Sequence, residues 1–134
     1  MIDVINEAIY NKLNGTSAVT SKLSATTAIW FGIAPVTATM PYIVYSIAAG
    51  GSDNDSPLDA VDLRFTVKAV ASTPAAAGAL SGAIRDALHE AILTMDSPWN
   101  NYRCQHQTEI MYPETIERAQ YWHAGGVYRI RASK

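Results

Sequence analysis

The sequence predicts an α+β fold, a mostly antiparallel β-sheet of four to five strands with two main helices packed on one face. Three observations carry this. Val61, Leu63, Phe65, Val67 and Ala69 alternate with Asp62, Arg64, Thr66 and Lys68, the period of a strand with one buried and one wet face. After Pro74, Leu80, Ile84, Leu88 and Ile92 recur at four-residue spacing, a helical stripe that can lie across the strand's apolar face. Near the start, Ile2, Ile5, Ile9 and Leu13 stand three, four and four apart, a second such stripe.

The elements follow in chain order. The first helix runs for about three turns, with Asp3 available as a cap and Gly15 just past its end. Residues 16–24 are polar, with only Val19 and Leu23 at helical spacing, and predict a single further turn or an ordered loop. Ile29-Trp30-Phe31, closed by Gly32 and Pro35, is a brief strand. Pro41 keeps Met40 from helical angles, and residues 42–47 carry large side chains on both faces, which places that strand in the middle of the sheet. Residues 50–58 have the composition of a flexible loop joining it to the alternating strand.

The main helix opens with Ser72 or Thr73 as cap and Pro74 at its first position, where the missing N–H costs nothing. Gly78 and Gly82 each weaken it by roughly 1 kcal/mol relative to Ala, so close approach of another backbone is expected there. Burying its apolar stripe contributes on the order of 6 to 12 kcal/mol gross, enough to decide in favour of the helix. A turn around Pro98 precedes a strand in which Tyr102, Cys104, His106, Thr108, Ile110 and Tyr112 share one face and Arg103, Gln105, Gln107, Glu109 and Met111 the other. A loop from Pro113 past Ile116 leads to the last strand, where Tyr128, Ile130 and Ala132 alternate with Val127, Arg129 and Arg131, and Gly125-Gly126 marks a bulge or bend.

At 134 residues the chain, 1–134, fits one domain. Ten basic and twelve acidic residues give a formal charge of -2, which argues against nucleic-acid binding by broad phosphate neutralisation. Cys104 is the single cysteine, so no internal disulfide forms and a reducing compartment fits best. The first residues are acidic where a secretory signal is basic, the pattern of a mature cytosolic product. Residues 23–52 lack charged side chains, yet Pro35, Pro41 and many Ser and Thr read as strands and loops, with no membrane span.

Asp53 and Asp55 start like a calcium loop, but Leu58 stands where Gly belongs and Arg64 where Glu belongs. Cys104 and His106 fall on one strand face, the separation a Cys/His pair needs. Their apolar neighbours Tyr102, Ile110 and Tyr112 favour a buried thiol and a hydrogen-bonded imidazole instead. No phosphate loop, nucleophile elbow, paired carboxylates or metal-spaced cluster is present, so no catalytic, metal or cofactor site is expected. Tyr121 and Trp122 near Arg118 fit interface or core better than base stacking. Charge is segregated: Asp53, Asp55, Asp59 and Asp62 form an acidic block, while the last seventeen residues hold Arg118, Arg129, Arg131 and Lys134 with no acid. Such blocks can mate head to tail between copies, which marks these residues as a candidate subunit or partner interface.

The chain resembles the small tail-completion, or tail-terminator, proteins of long-tailed bacteriophages and prophages. The resemblance rests on the N-terminal helix ending in Leu13-Asn14-Gly15, the segment from Thr16 to Leu23, and the Met40-Pro41-Tyr42-Ile43-Val44-Tyr45 strand. It continues through the polar loop, the strand from Val61 to Val70, and the Ala-rich helix through Ile84, Leu88 and Leu93. The acidic stretch 53–59 and Tyr121-Trp122-His123 depart from the family pattern. The resemblance implies a non-enzymatic virion protein of the tail or neck, assembled in the bacterial cytoplasm. It would form a hexameric ring that caps the head-proximal end of the tail tube, ends its polymerisation and offers a docking surface to the head-tail connector. The implied partners are other copies, the tail tube protein and the connector. The alternatives are a head-closure or neck protein and, in another class, a small ligand-binding or hydrolytic domain using Cys104 and His106.

Overall fold

The alternating stretch is the middle of the sheet. In the computed structural model, which describes residues 2–53 and 60–134, it forms β3 (Ala60–Ala71), and Val61, Leu63, Phe65, Val67 and Ala69 are all buried. Before it come α1 (Ile2–Asn14), α2 (Ser17–Thr20), β1 (Ile29–Phe31) and β2 (Tyr42–Asp53), and after it α3 (Pro74–Leu88), β4 (Asn100–Ile116) and β5 (Ala119–Ser133). The five strands make one sheet in the order β1-β2-β3-β5-β4, antiparallel throughout except for the β1–β2 pair. The stripes of α1 (Ile5, Ile9, Leu13) and α3 (Leu80, Ile84, Leu88) pack on the sheet face made by the β3 residues above with Tyr45, Tyr128 and Ile130. The predicted fold class is the observed one.

The ends of α3 obey local chemistry. Thr73 caps its start by accepting a hydrogen bond from the Ala76 N–H at 3.2 Å, with Pro74 at the first helical position. At its end the His89 N–H reaches the Arg85 carbonyl, Glu90 turns left-handed at φ 62°, and the Glu90 N–H and the Ala91 carbonyl pair with both backbone polar groups of Cys104. The helix therefore stops one turn earlier than its stripe predicts. Ile92 is 64% exposed, and Leu93 takes the buried place. Buried Asn101 fixes this detour, accepting from the Leu93 N–H and donating to the Arg131 carbonyl, both at 2.9 Å.

Other expectations are corrected. Above Gly78 and Gly82 there is open space, with no backbone approaching them. Residues 50–53 continue β2 instead of starting the loop, and residues 54–59 lie outside the described residues. β2 is second from the edge, with β1 outside it and pairing with it only from Ile43 to Tyr45. Gly125 and Gly126 form no bulge, for β5 keeps unbroken register with β3 through both. They permit close packing instead: a Cβ on Gly125 would stand 2.8 Å from the Lys68 Cα, and one on Gly126 2.6 Å from the Thr108 carbonyl. Besides one on β2 between Ile47 and Ala49, the irregularities lie on β4, between Asn101 and Cys104 and between His106 and Thr108. The second one reverses the alternation. Glu109 and Met111 pair with Gly126 and Ala124, so they share the helix-bearing side with His106, while Tyr112 pairs with His123 on the other side.

Candidate interaction surface

The largest departure from the sequence reading follows Pro113, where the sequence predicts a loop running past Ile116 to the last strand. β4 continues to Ile116 and β5 begins at Ala119, joined by a two-residue turn in which Glu117 (φ 48°) and Arg118 (φ 70°) are both left-handed. This is the turn geometry whose twist matches a hairpin, although neither residue is of the type that normally signals it. Pro113 is tolerated because β4 is the edge strand. β3 stops pairing at Ala71 with Trp122, so beyond that point residues 114–121 pair only with each other. The result is a two-stranded arm. Every residue from 111 to 120 is exposed, including Met111, Tyr112 and Ile116, and Arg118 stands at the tip.

The base of the arm carries an aromatic and titratable cluster on the sheet face away from the helices. Tyr112 stacks on His123 with ring centroids 4.6 Å apart, and the Lys68 ammonium donates to the Tyr112 hydroxyl at 3.1 Å. Glu114 lies 3.6 Å from the His123 Nε2. Burial, with Lys68 adding to it, pushes His123 below the ordinary histidine range against the opposing pull of Glu114. Tyr42 joins from β2, its phenol pushed up by burial and by Tyr121 and Glu114. Tyr121 is half-buried on this side. Trp122 faces the other way, against Ala71, Ala77, Ala124 and Ala76. Sequence reasoning missed Tyr42, Lys68, Tyr112 and His123 as a group because only the registers of four strands bring them together.

The charge blocks meet within one chain on the same uncovered face. The Asp62 carboxylate accepts two nitrogens of Arg129 and one of Arg64, and these bonds, Arg129 first, hold its carboxyl at about 2. Arg131 is the register partner of Asp62 and is exposed. Arg118 is at the opposite end of β5 from both. Asp53 ends β2, opposite Ala60, and Asp55 and Asp59 lie outside the described residues.

Cys104 is fully buried, and burial pushes its thiol up to about 12, so the thiolate a nucleophile needs is not formed at neutral pH. His106 packs edge-on against Tyr128, and its backbone N–H donates to the His89 Nδ1. Among the described residues no group of three His, Cys, Asp or Glu could hold a metal ion, and no helix is long and apolar enough to cross a membrane. The features that stand out are the exposed arm, the aromatic cluster at its base and the sheet face that carries no helix.

No curated protein matches the sequence. The fold is similar to a chain in the solved structure titled "Virion of native gene transfer agent (GTA) particle", with a TM-score of 0.77 and 18% identity over 99% of this chain and 97% of that one. The family model described as "Tail completion protein gp17" matches residues 7–115, most of the chain. The chain thus belongs to the tail completion protein gp17 family, and it is a bacteriophage-type structural protein of the virion tail.

Proposed function

We propose that this chain acts as a hexameric ring on the head-proximal end of a tail tube, where it ends tube polymerisation and presents a surface to the head-tail connector. The observation that carries the reading is the two-stranded arm in a chain of a tail completion family. An exposed ribbon with Ile116 at its surface cannot satisfy its apolar area within its own subunit, and a ring gives each arm a neighbour. The likeness to a chain of a gene transfer agent virion supports a place in such a particle. The role is structural, and the buried, protonated thiol of Cys104 disfavours the alternative of a hydrolytic domain that uses Cys104 and His106.

Negative-stain images of the protein mixed with tail tubes test the reading. Rings at one end of each tube, with tube growth stopped there, are expected. A head-closure protein would instead bind the connector and leave tube growth unchanged.

A further inference from the structure

One row of cross-strand partners crosses the sheet from edge to edge: Phe31, Tyr45, Val67, Gly126 and Glu109. At its β1 end the chain leaves the sheet in an uncharged segment with Phe31 48%, Ile33 84% and Val36 105% exposed. At its β4 end, on the helix-bearing side, a groove of about 170 Å³ opens between α3 and β4. Gly78 and Gly82 form one wall, with nothing within 4 Å of where their side chains would be, and Glu109 and Met111 form the other. The Arg85–Glu109 ion pair, 3.5 Å and exposed, is the groove's polar rim.

We infer that residues 31–36 of one copy seat Ile33 and Val36 in the α3–β4 groove of a second copy. The knob and the groove stand at opposite edges of one sheet, on one row and so at one height. A head-to-tail contact that continues the row from Glu109 of one copy to Phe31 of the next brings them together and leaves a knob and a groove free to repeat it. The arrangement explains two features that isolated folding does not. Ile33 and Val36 are apolar yet almost fully exposed, and Gly78 and Gly82 weaken α3 with no compensating contact in their own subunit.

The inference rests on the ring reading, and its test separates the two. Val36→Cys and Gly82→Cys proteins are mixed in equal amounts with tail tubes, treated with a short bismaleimide, and examined by denaturing gel and negative stain. Cys104 is fully buried and does not compete. Cross-linked pairs from the mixture, and none from either variant alone, are expected. In parallel, Ile33→Asp with Val36→Asp raises the concentration needed for assembly about tenfold or more while the isolated fold melts as the parent does. Rings that form on tubes without the 36–82 cross-link overturn this interface and leave the ring reading standing. Absence of rings from the parent protein overturns both.

Discussion

Arg129 on β5 reaches past its own register partner, Arg64, to grip Asp62 on β3 with Nε at 2.9 Å and a second nitrogen on the other carboxylate oxygen. Two arginines directly opposite one another repel, and Asp62, accepting from both, is what lets them share the sheet face. Asp62→Asn is therefore expected to cost about 1 to 3 kcal/mol, since it leaves two half-buried guanidinium groups facing each other. Urea titration at neutral pH measures it. A loss below about 0.3 kcal/mol would assign the pair no more weight than an exposed one.

The same carboxylate sets a pH window. Its folded-state carboxyl titrates at about 2 against an ordinary 3.8, so its contribution is fully present above pH 4 and is lost as the pH falls through 2. The contribution is on the order of 2 kcal/mol. Stability measured from pH 5 to pH 2 should fall less steeply in Asp62→Asn than in the parent. Parallel curves would show that other carboxylates govern the acid limb.

The end of α3 makes a paired prediction. Leu88 is 1% exposed and its truncation to Ala should cost about 2 to 5 kcal/mol by opening a cavity. Ile92, four residues on and 64% exposed, should tolerate Ala within about 0.5 kcal/mol. Denaturant midpoints of the two variants check this directly, and equal losses would mean that the helix continues through Ile92.

The glycines separate likewise. Gly78→Ala fills open space on a helix and should stabilise the isolated subunit by about 0.5 to 1 kcal/mol. Gly126→Ala brings a methyl group against the Thr108 carbonyl and the His106 ring, and should destabilise it by about 1 to 3 kcal/mol. Melting temperatures ordered the other way would contradict the packing described here.

What was legible in the sequence was what is decided locally. β3 and α3 were readable because each repeats its apolar residues at the period of its own geometry, and each buries that face on the other. The point where α3 stops was not readable, because it depends on Glu90 and Ala91 pairing with Cys104, a contact between segments whose local patterns are unremarkable. The arm was hidden for a related reason. Pro113 and a Glu117-Arg118 turn read as loop, and only the partner strand shows that an edge position removes the need for the proline's N–H. Asp62 and Arg129, read from the sequence as parts of two separate charge blocks, stand on adjacent strands of one sheet.

The capping ring itself is tested most directly by the length of tubes grown from tail tube protein with and without this chain, imaged in negative stain. Tubes with a ring at a single end and no growth from that end are the predicted result. Tubes that lengthen equally from both ends, with this chain absent from the ends or scattered along their sides, would contradict the account.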